Sequence, residues 1–470
     1  MQTSRRRTTV PPIVFIFIGL FLILGVPRLW NSLKTQPSLT ALFEEANALQ
    51  ERISLGDRIL IATDATPEKR LGTEAMAAGN HTQAIAHFQT SLQRYRNDPE
   101  TLIYLNNARI DQTANQTPLK IAVSVPIGSN LNVAQEILRG VAQAQQEVNQ
   151  SGGLNDQPLQ VEIINDENDP DIVKQVATSL VNDPQVLAVI GHNASNASLT
   201  AAPIYQRGNL VMVSPTSFAN QLSGFGSYIF RTVPPNPTMV EPLVTYVVKT
   251  AQHSKIAVCY DAQAPDNVSF KDEFIAALVA QGGTVIPIEC DFSVPTFNAN
   301  TAVTAAINQG ADGLLLAPHI DRLDRAIAIA QANQGRLALV SSPTLYTMKT
   351  IQSGQANVDG LILPVIWHPQ AFPGNPFTAN ARQLWGGLVN WRTATAYDAT
   401  QAIVTGLQHQ KTRDGLQQAL RNPNFFAKGA GADIVFMPTG DRAGKPLLVQ
   451  VQKHPRMGYS FAPVGGDRPK

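Results

Sequence analysis

The residue types that can do chemistry collect in short polar segments that directly follow apolar runs. One segment carries the carboxylates Asp166, Glu167 and Asp169. They can bind a cation, but Asp169 precedes Pro170, which is typical of a helix start, so a solvated helix entry is the preferred interpretation. The sequence has no Gly-x-Ser-x-Gly elbow, no phosphate-loop lysine motif and no His-Glu-x-x-His motif. Binding is therefore favoured over catalysis, and we expect neither an enzyme activity nor a cofactor.

The elements that must position such segments alternate between strand and helix. Four apolar runs predict strands, at residues 119–127, 159–164, 186–191 and 210–215. Strands that are apolar throughout and alternate with helices predict a parallel sheet covered on both faces. Such sheets bind ligands at the carboxyl ends of their strands, where helix N-termini offer free N–H groups. The polar loops at residues 192–198 and 214–218 are therefore the first places to expect a ligand.

Length and composition narrow the class of protein. At 470 residues the chain exceeds one hydrophobic core, so two or three domains are expected. A net charge of +1 with 15% charged residues suggests neither a nucleic-acid binder nor a disordered acidic protein. The two cysteines, Cys259 and Cys290, are too few for a disulfide scaffold or a four-cysteine zinc site. Two buried thiols are the preferred interpretation, and one disulfide in an oxidising compartment is the alternative.

The amino end predicts a membrane anchor. Arg5, Arg6 and Arg7 precede a run that is apolar over residues 10–26, about the minimum length that spans a bilayer. The positive flank predicts a cytoplasmic basic tail at residues 1–9, with the rest of the chain outside the cytoplasm. A cleaved signal peptide is the rival, but no small-residue cleavage site follows the run. We therefore expect an uncleaved signal anchor.

A helical region is expected between the anchor and the sheet. Residues 38–112 lack strand alternation, and residues 69–109 resemble one tetratricopeptide-type repeat with its turn at Gly79. One full repeat cannot bury its own face, because such arrays usually need about three repeats. The segment is therefore either a partner-binding module or a helical stalk packed on the next domain.

A second alternating unit follows a stiff crossing. Pro234, Pro235 and Pro237 favour extended backbone there. A long helix around residues 394–407 is expected to return to the first unit. Further strands are predicted at residues 255–260, 284–290, 313–317, 337–340 and 360–365.

These patterns predict an α/β protein with two doubly wound Rossmann-like lobes, a multi-strand hinge between them and a cleft at the hinge. Lobe 1 would span residues 119–232 and 366–410, and lobe 2 residues 236–365 with part of the C-terminus. The whole two-lobed domain would cover residues 119–453, and residues 454–470 would form a tail.

An ordered series of short fragments carries a family resemblance: KIAV at 120–123, PIG at 126–128, EILRG at 136–140, DENDP at 166–170, VIGH at 189–192, AAPIY at 201–205, VSP at 213–215, FRT at 230–232, YDA at 397–399 and GDR at 440–442. Over residues 119–453 the chain resembles the type I periplasmic solute-binding proteins of the branched-chain amino acid ABC transporter class. The resemblance implies a ligand held between two lobes that close around it.

The resemblance also implies site residues in lobe 1. In the family, the loop after the third strand holds the ligand carboxylate with a serine hydroxyl and neighbouring N–H groups. Ser195 aligns with that serine, beside Asn193 and Ala194, although it can also simply cap the next helix. Thr216 and Ser217 keep hydroxyl groups in the loop after the fourth strand.

One lobe 1 position departs from the family. Phe218 stands where the family usually has a threonine that touches the amino acid backbone of the ligand. A phenyl ring can only stack on a ligand or fill part of the cleft. Asn130, in the first loop, is a further polar candidate for the lining.

In lobe 2, Asp266 aligns with a tyrosine that often lies over the ligand, and it can accept an ammonium group or start a helix. His319 faces the cleft by topology, with a structural role as the alternative. The family has an acid for the ligand amine in the loop at residues 341–346, and none is present here. A plain α-amino acid ligand is therefore disfavoured, because a buried unpaired ammonium costs much free energy. Tyr346 can close over an apolar or amide group.

The leading expectation is a membrane-anchored solute-binding protein in the periplasm, attached to the inner membrane by one helix. It would capture an amino acid-like or amide-like ligand for an ABC importer permease or a signalling partner, without nucleic acid. The rival is a non-transport interaction protein, since activators of cell-wall synthases also join tetratricopeptide-like helices to this fold. Phe218 and the missing acid favour the rival, and the hydroxyl-rich loop at Ser195 favours ligand binding.

Overall fold

The computed structural model describes residues 47–63, 65–113, 117–456 and 458–465. The expected basic tail, the anchor, the start of the helical region and the chain end lie outside these ranges, at residues 1–9, 10–26, 38–46 and 466–470. Within the described ranges, every helix is too short or too polar to span a bilayer. The chain divides into two compact units, Met1–Glu51 and Arg52–Lys470, and all elements named below belong to the second unit.

Helices dominate the segment before the first parallel sheet: α1 (Pro67–Ala77), α2 (His81–Arg94) and α3 (Pro99–Gln112). Each begins where the sequence supplies an N-cap, because Thr66, Asn80 and Asp98 each accept a backbone N–H of the first turn. The expectation of helix throughout is wrong at β1 (Ile53–Ser54), a strand too short to show alternation in the sequence. The resemblance of this segment to a tetratricopeptide repeat stays a prediction.

Four strands of the first parallel sheet, β2 to β5, follow the predicted apolar runs, and a fifth, β6, was not predicted. Its strands are β2 (Leu119–Val125), β3 (Leu159–Asn165), β4 (Val186–Ile190), β5 (Val211–Ser214) and β6 (Ile229–Arg231), and its helices are α4 (Leu131–Gln150), α5 (Pro170–Asn182) and α6 (Ser195–Arg207). The strand order is β1-β3-β2-β4-β5-β6, parallel except for β1, which pairs antiparallel with β3. Every residue of β2 is buried, as expected for a sheet with both faces covered.

The helical segment is packed directly on this first lobe. Phe88 and Ile103 belong to the same hydrophobic core as Val123 and Ile137 of the sheet and α4. Asn107 of α3 completes the sheet edge: its Nδ2 donates to the Val161 carbonyl at 2.8 Å, and its Oδ1 accepts from the Val161 N–H at 3.2 Å. The side-chain amide thus takes the place of a peptide group on a neighbouring strand.

The second lobe repeats the architecture. Its strands are β7 (Lys255–Tyr260), β8 (Thr284–Ile286), β9 (Gly313–Ala317), β10 (Ala338–Ser341), β11 (Ile362–Val365), β12 (Leu447–His454) and β13 (Gly458–Pro463), in the order β13-β12-β11-β10-β9-β7-β8. Strands β7 to β11 run parallel, and β12 and β13 form an antiparallel hairpin beside β11. The expected tail at residues 454–470 therefore contains a strand of the sheet, β13.

The other α-helices of the described residues are α7 (Asn236–Thr245), α8 (Pro265–Ala280), α9 (Ala299–Asn308), α10 (Leu323–Asn333), α11 (Met348–Gly354), α12 (Pro376–Trp385), α13 (Trp391–Leu407) and α14 (Arg413–Arg421). Helix α13 returns to the first lobe, where the Thr393 hydroxyl donates to the Glu136 carbonyl of α4 at 2.9 Å. Gly140 permits this close approach, because a Cβ there would lie 2.2 Å from the Thr393 carbonyl oxygen.

Cys259 and Cys290 form a disulfide, so the preferred interpretation of two free buried thiols is wrong. Cys259 lies on β7, and Cys290 lies beyond the end of β8, which stops at Ile286 rather than at residue 290. The backbone bonds between Tyr260 and residues 290 and 292 bring the two sulfurs together.

Both lobes place strands in the doubly wound order 2-1-3-4-5, β3-β2-β4-β5-β6 in one and β8-β7-β9-β10-β11 in the other. The order reverses between β2 and β4 and between β7 and β9. Ligands of such sheets bind in the crevice at this reversal, beyond the carboxyl ends of the strands. The search for a site therefore begins with the loops that follow β4, β7 and β9.

Candidate functional site

A cavity of about 30 Å³ lies between loops of the two lobes, and it is lined by Asn193, Ala194, Thr216, Phe218, Asp266, His319, Ile320, Thr344, Trp391 and Arg392. The residues from Asn193 to Phe218 follow β4 and β5, and those from Asp266 to Thr344 follow β7, β9 and β10. Trp391 and Arg392 are the first two residues of α13. Six of the residues singled out in the sequence come together here. Ile320, Thr344, Trp391 and Arg392 were not anticipated, and Asn130, Ser195, Ser217 and Tyr346 lie outside the lining.

Ser195 links two loops of the first lobe. Its Oγ accepts the backbone N–H groups of Phe218 and Ala219, each at 3.2 Å, and the residue is 2% exposed. Ala194, the N-cap of α6, makes no side-chain capping bond. The geometry therefore gives Ser195 the task of fixing the loop after β5, beside the cavity rather than in its wall.

Ser217 belongs to a buried hydroxyl cluster. Its Oγ lies 2.7 Å from the Ser198 Oγ and 3.3 Å from the His192 carbonyl oxygen. The same carbonyl accepts from the hydroxyls of Ser198 and Ser214 at 3.2 and 3.0 Å. The hydroxyls of Ser195 and Ser217, which were expected to meet a ligand, thus join the loops after β4 and β5. Thr216 donates to the Asn193 carbonyl at 2.8 Å and also lines the cavity.

Arg231 fastens the loop that carries Phe218. Its Nε donates to Asp441 Oδ1 at 2.7 Å, and its Nη1 donates to the carbonyls of Ser217 and Ala219 at 3.1 and 2.9 Å. Both ion-pair partners are at most 1% exposed. Burial lowers the pKa of Arg231, although the charge of Asp441 opposes the shift.

Asp266 is the acid of the cavity. It lies in the first turn of α8, and its Oδ1 is buried without a hydrogen-bond partner among the residues that the structure describes. Burial raises the pKa of Asp266 against the opposing effect of His319. Such a carboxylate oxygen is available to a donor on a ligand.

Two basic side chains, His319 and Arg392, share the cavity with Asp266. Burial alone would lower the pKa of His319, but the bond to Asp321, 3.3 Å from Nδ1, and the charge of Asp266 outweigh it and raise that pKa. Arg392 is 3% exposed; its Nη1 donates to the Tyr346 carbonyl at 3.3 Å and lies 3.5 Å from Glu136 Oε2. The walls thus offer both donors and an acceptor.

Asn130 and Tyr346 have other partners. Asn130 Oδ1 accepts the Val133 N–H at 3.4 Å and so caps α4. The Tyr346 ring packs against Phe461, with centroids 4.4 Å apart, and burial raises the pKa of Tyr346. The loop position of Tyr346 was anticipated, but its side chain points into the core of the second lobe, where it is 6% exposed.

The two lobes touch at the rim of the cleft. The Asn220 N–H, from the first lobe, donates to Ser269 Oγ at 3.2 Å, and its Nδ2 donates to Glu273 Oε1 at 2.9 Å. Ser269 and Glu273 both lie on α8. These two bonds join the lobes through α8, whose first turn carries Asp266 of the cavity. No cluster of His, Cys, Asp and Glu suited to a metal ion occurs in the described part of the chain.

The sequence profile of the periplasmic binding protein family matches residues 118–454. Among curated proteins, the chain is 27% identical over 135 residues to an amino acid binding protein of Pseudomonas aeruginosa, and 29% identical over 147 residues to the leucine-, isoleucine-, valine-, threonine-, and alanine-binding protein of the same organism. These matches cover 28% and 31% of this chain, and only 36% and 39% of the relatives.

Solved structures share the two-lobed fold over most of the chain. The leucine binding protein LivK of Thermotoga maritima superimposes with a TM-score of 0.65 at 19% identity, covering 73% of this chain and 97% of that one. The LivJ protein of Streptococcus pneumoniae, in complex with isoleucine, gives a TM-score of 0.64 at 14% identity, covering 74% and 100%. The family profile matches well over half of this chain, so the chain belongs to the periplasmic binding protein family.

Proposed function

We propose that the protein captures a small amino acid-like or amide-like solute between its lobes and delivers it to an ABC importer or a sensor. The observation that carries the proposal is the unpartnered Asp266 Oδ1 in a cavity walled by both lobes. An ammonium or amide N–H of the solute would complete the missing hydrogen bond. The relatives described above are amino acid-binding proteins, which supports the same class of ligand.

The charged groups of the cavity compensate for the absence of an acid at residues 341–346. Asp266 supplies a carboxylate from the first turn of α8, and Arg392 and His319 supply donors for a carboxylate or carbonyl. A solute that carries both an ammonium group and a carboxylate can therefore have each charge paired inside the cleft. Buried charges require such pairing.

A membrane-anchored, extracytoplasmic location completes the proposal. The Cys259–Cys290 disulfide supports an oxidising compartment. The apolar run at residues 10–26 and the arginines before it support an anchor with the bulk of the chain in the periplasm. Mass spectrometry of the mature amino terminus tests this part: we expect an intact anchor, and a terminus beyond residue 26 would contradict it.

The ligand-binding part is tested with the full chain by thermal shift against amino acids, amides and short peptides. A ligand at 100 times its dissociation constant adds roughly 2.7 kcal/mol of stability. We expect Asp266→Asn to weaken an ammonium ligand about tenfold to hundredfold, because a hydrogen bond to a charged group is lost. Asp272→Asn, on the same helix and exposed, is the matched control and should leave affinity unchanged. A ligand that binds Asp266→Asn as tightly as the wild type would contradict the assignment.

The second candidate is an interaction protein whose cleft needs no ligand. The small volume of the cavity favours it, because aromatic side chains take up much of the cleft. The same screen separates the two candidates: if no compound raises the melting temperature, the interaction protein is the better explanation.

A further inference from the structure

Two aromatic rings meet inside the cleft and limit its space. Phe218 comes from the loop after β5 of the first lobe, and Trp391 is the first residue of α13. Their ring centroids lie 5.8 Å apart at an interplanar angle of 56°. The rings are almost fully enclosed, with 7% and 3% exposure. The cavity left beside them is about 30 Å³.

The backbone under each ring is held in place. The Phe218 N–H donates to Ser195 Oγ at 3.2 Å, and its carbonyl accepts from Asn236 Nδ2 at 2.7 Å. At the start of α13, Asn390 Oδ1 caps the helix by accepting the Arg392 N–H at 2.9 Å. Shifting the backbone under either ring breaks these hydrogen bonds, and the two at Phe218 are buried. The fold therefore fixes the positions of both rings, and with them the small volume of the cavity.

The charged groups of the same cavity are correspondingly close. Asp266 and Arg392 both line this small space, so one short molecule can meet an acceptor and a donor at once. The guanidinium carbon of Arg392 lies 4.7 Å from the centroid of the Trp391 ring, which directs the cation along the aromatic wall. The walls therefore favour a compact solute with opposite polar ends and little side chain between them.

We infer that Phe218 and Trp391 set a size limit, so that the cleft takes a zwitterion or amide of glycine or alanine size and rejects branched-chain amino acids. The inference rests on the proposed function, because it assigns a ligand class to the same cavity. It separates this chain from the S. pneumoniae protein, which is solved with isoleucine.

The test is isothermal titration calorimetry of the full chain with glycine, alanine, 2-aminobutyrate, leucine and their amides. We expect the wild type to prefer glycine or alanine to leucine at least tenfold, since one methylene too many in a tight pocket is worth 10-fold or more. In Phe218→Ala the space of the ring becomes available, and leucine affinity should rise at least tenfold. Phe225→Ala removes an exposed phenyl ring elsewhere in the first lobe and should change neither affinity.

The outcomes distinguish the two levels of the proposal. If the wild type binds leucine as tightly as glycine, the size limit is wrong and ligand capture stands. If neither wild type nor variant binds any member of the series, ligand capture is wrong and the size limit falls with it. The size series on the wild-type chain needs no variant, so the inference stays open to refutation even if Phe218→Ala does not fold.

Discussion

Replacing Arg231 by leucine removes the cation that holds the loop after β5, which carries Phe218. Its guanidinium neutralises the buried Asp441 and donates to the carbonyls of Ser217 and Ala219, on either side of Phe218. In Arg231→Leu, Asp441 keeps the hydroxyl donors of Ser223 and Thr439 but loses its counter-charge. The variant should therefore be destabilised, and the loop that carries the ring should lose its support.

The magnitude follows from burial of the pair. Removing one partner of a buried ion pair costs about 3–5 kcal/mol, because the other charge stays in the interior. With an unfolding entropy of about 2.1 cal/mol/K per residue, a chain of this length should melt roughly 3–5 °C lower. The matched control is Arg94→Leu, since Arg94 pairs with Glu68 while 60% of its side chain is exposed. Such a surface pair contributes about 1 kcal/mol or less.

The assay is differential scanning calorimetry of the full chain at pH 7. Adding Asp441→Asn to Arg231→Leu should recover part of the loss, because the uncompensated charge disappears while the hydroxyl bonds remain possible. The reasoning is refuted if Arg231→Leu melts no lower than Arg94→Leu. It is also refuted if the double variant is less stable than Arg231→Leu alone.

Three further predictions concern stability. Burial lowers the pKa of His368 to about 4, so the unfolded chain binds the proton first and the free energy of unfolding should fall as pH drops from about 6.5 to about 4. His368→Asn should flatten that slope in acid melts, and an unchanged slope would contradict the cause. Replacing Cys259 and Cys290 by serine opens a loop of 31 residues and should cost about 3–4 kcal/mol in thermal melts; a loss below about 1 kcal/mol would show that the bridge contributes little. Asn107→Ala leaves the Val161 N–H and carbonyl unpaired and should cost about 2–4 kcal/mol, with faster hydrogen exchange at the Val161 amide; unchanged exchange would mean that another group satisfies them.

The alternation of apolar runs and helices predicted four strands of the first sheet and five of the second, but not β6, β12 or β13. The predicted strands at residues 255–260 and 313–317 coincide with β7 and β9. Strand β1 was missed because two residues carry no periodic pattern, and its pairing with β3 depends on a contact more than a hundred residues away. The disulfide was not preferred because spacing in the chain does not show that Cys259 and Cys290 lie on adjacent backbone segments.

The site was predictable to the level of loops. Topology placed Asn193 and His319 at the cleft, and the family resemblance added Asp266. All three line the cavity. Side-chain direction was not predictable, since Ser195 and Tyr346 point away from the cavity. Trp391 and Arg392 come from a helix start far along the chain. The Asn390 cap could have marked the start of that helix, but nothing local shows that it faces the cleft.

The outer edge of β3, which β1 and Asn107 cover, has a practical consequence for recombinant work. A truncated protein that starts at residue 118, where the family match begins, lacks β1 and α3 and exposes the backbone groups of β3 on the outer side. Unpaired strand edges template pairing with other molecules. Such a fragment should self-associate during purification, whereas one that starts at residue 52 keeps the edge covered and should remain monodisperse in gel filtration.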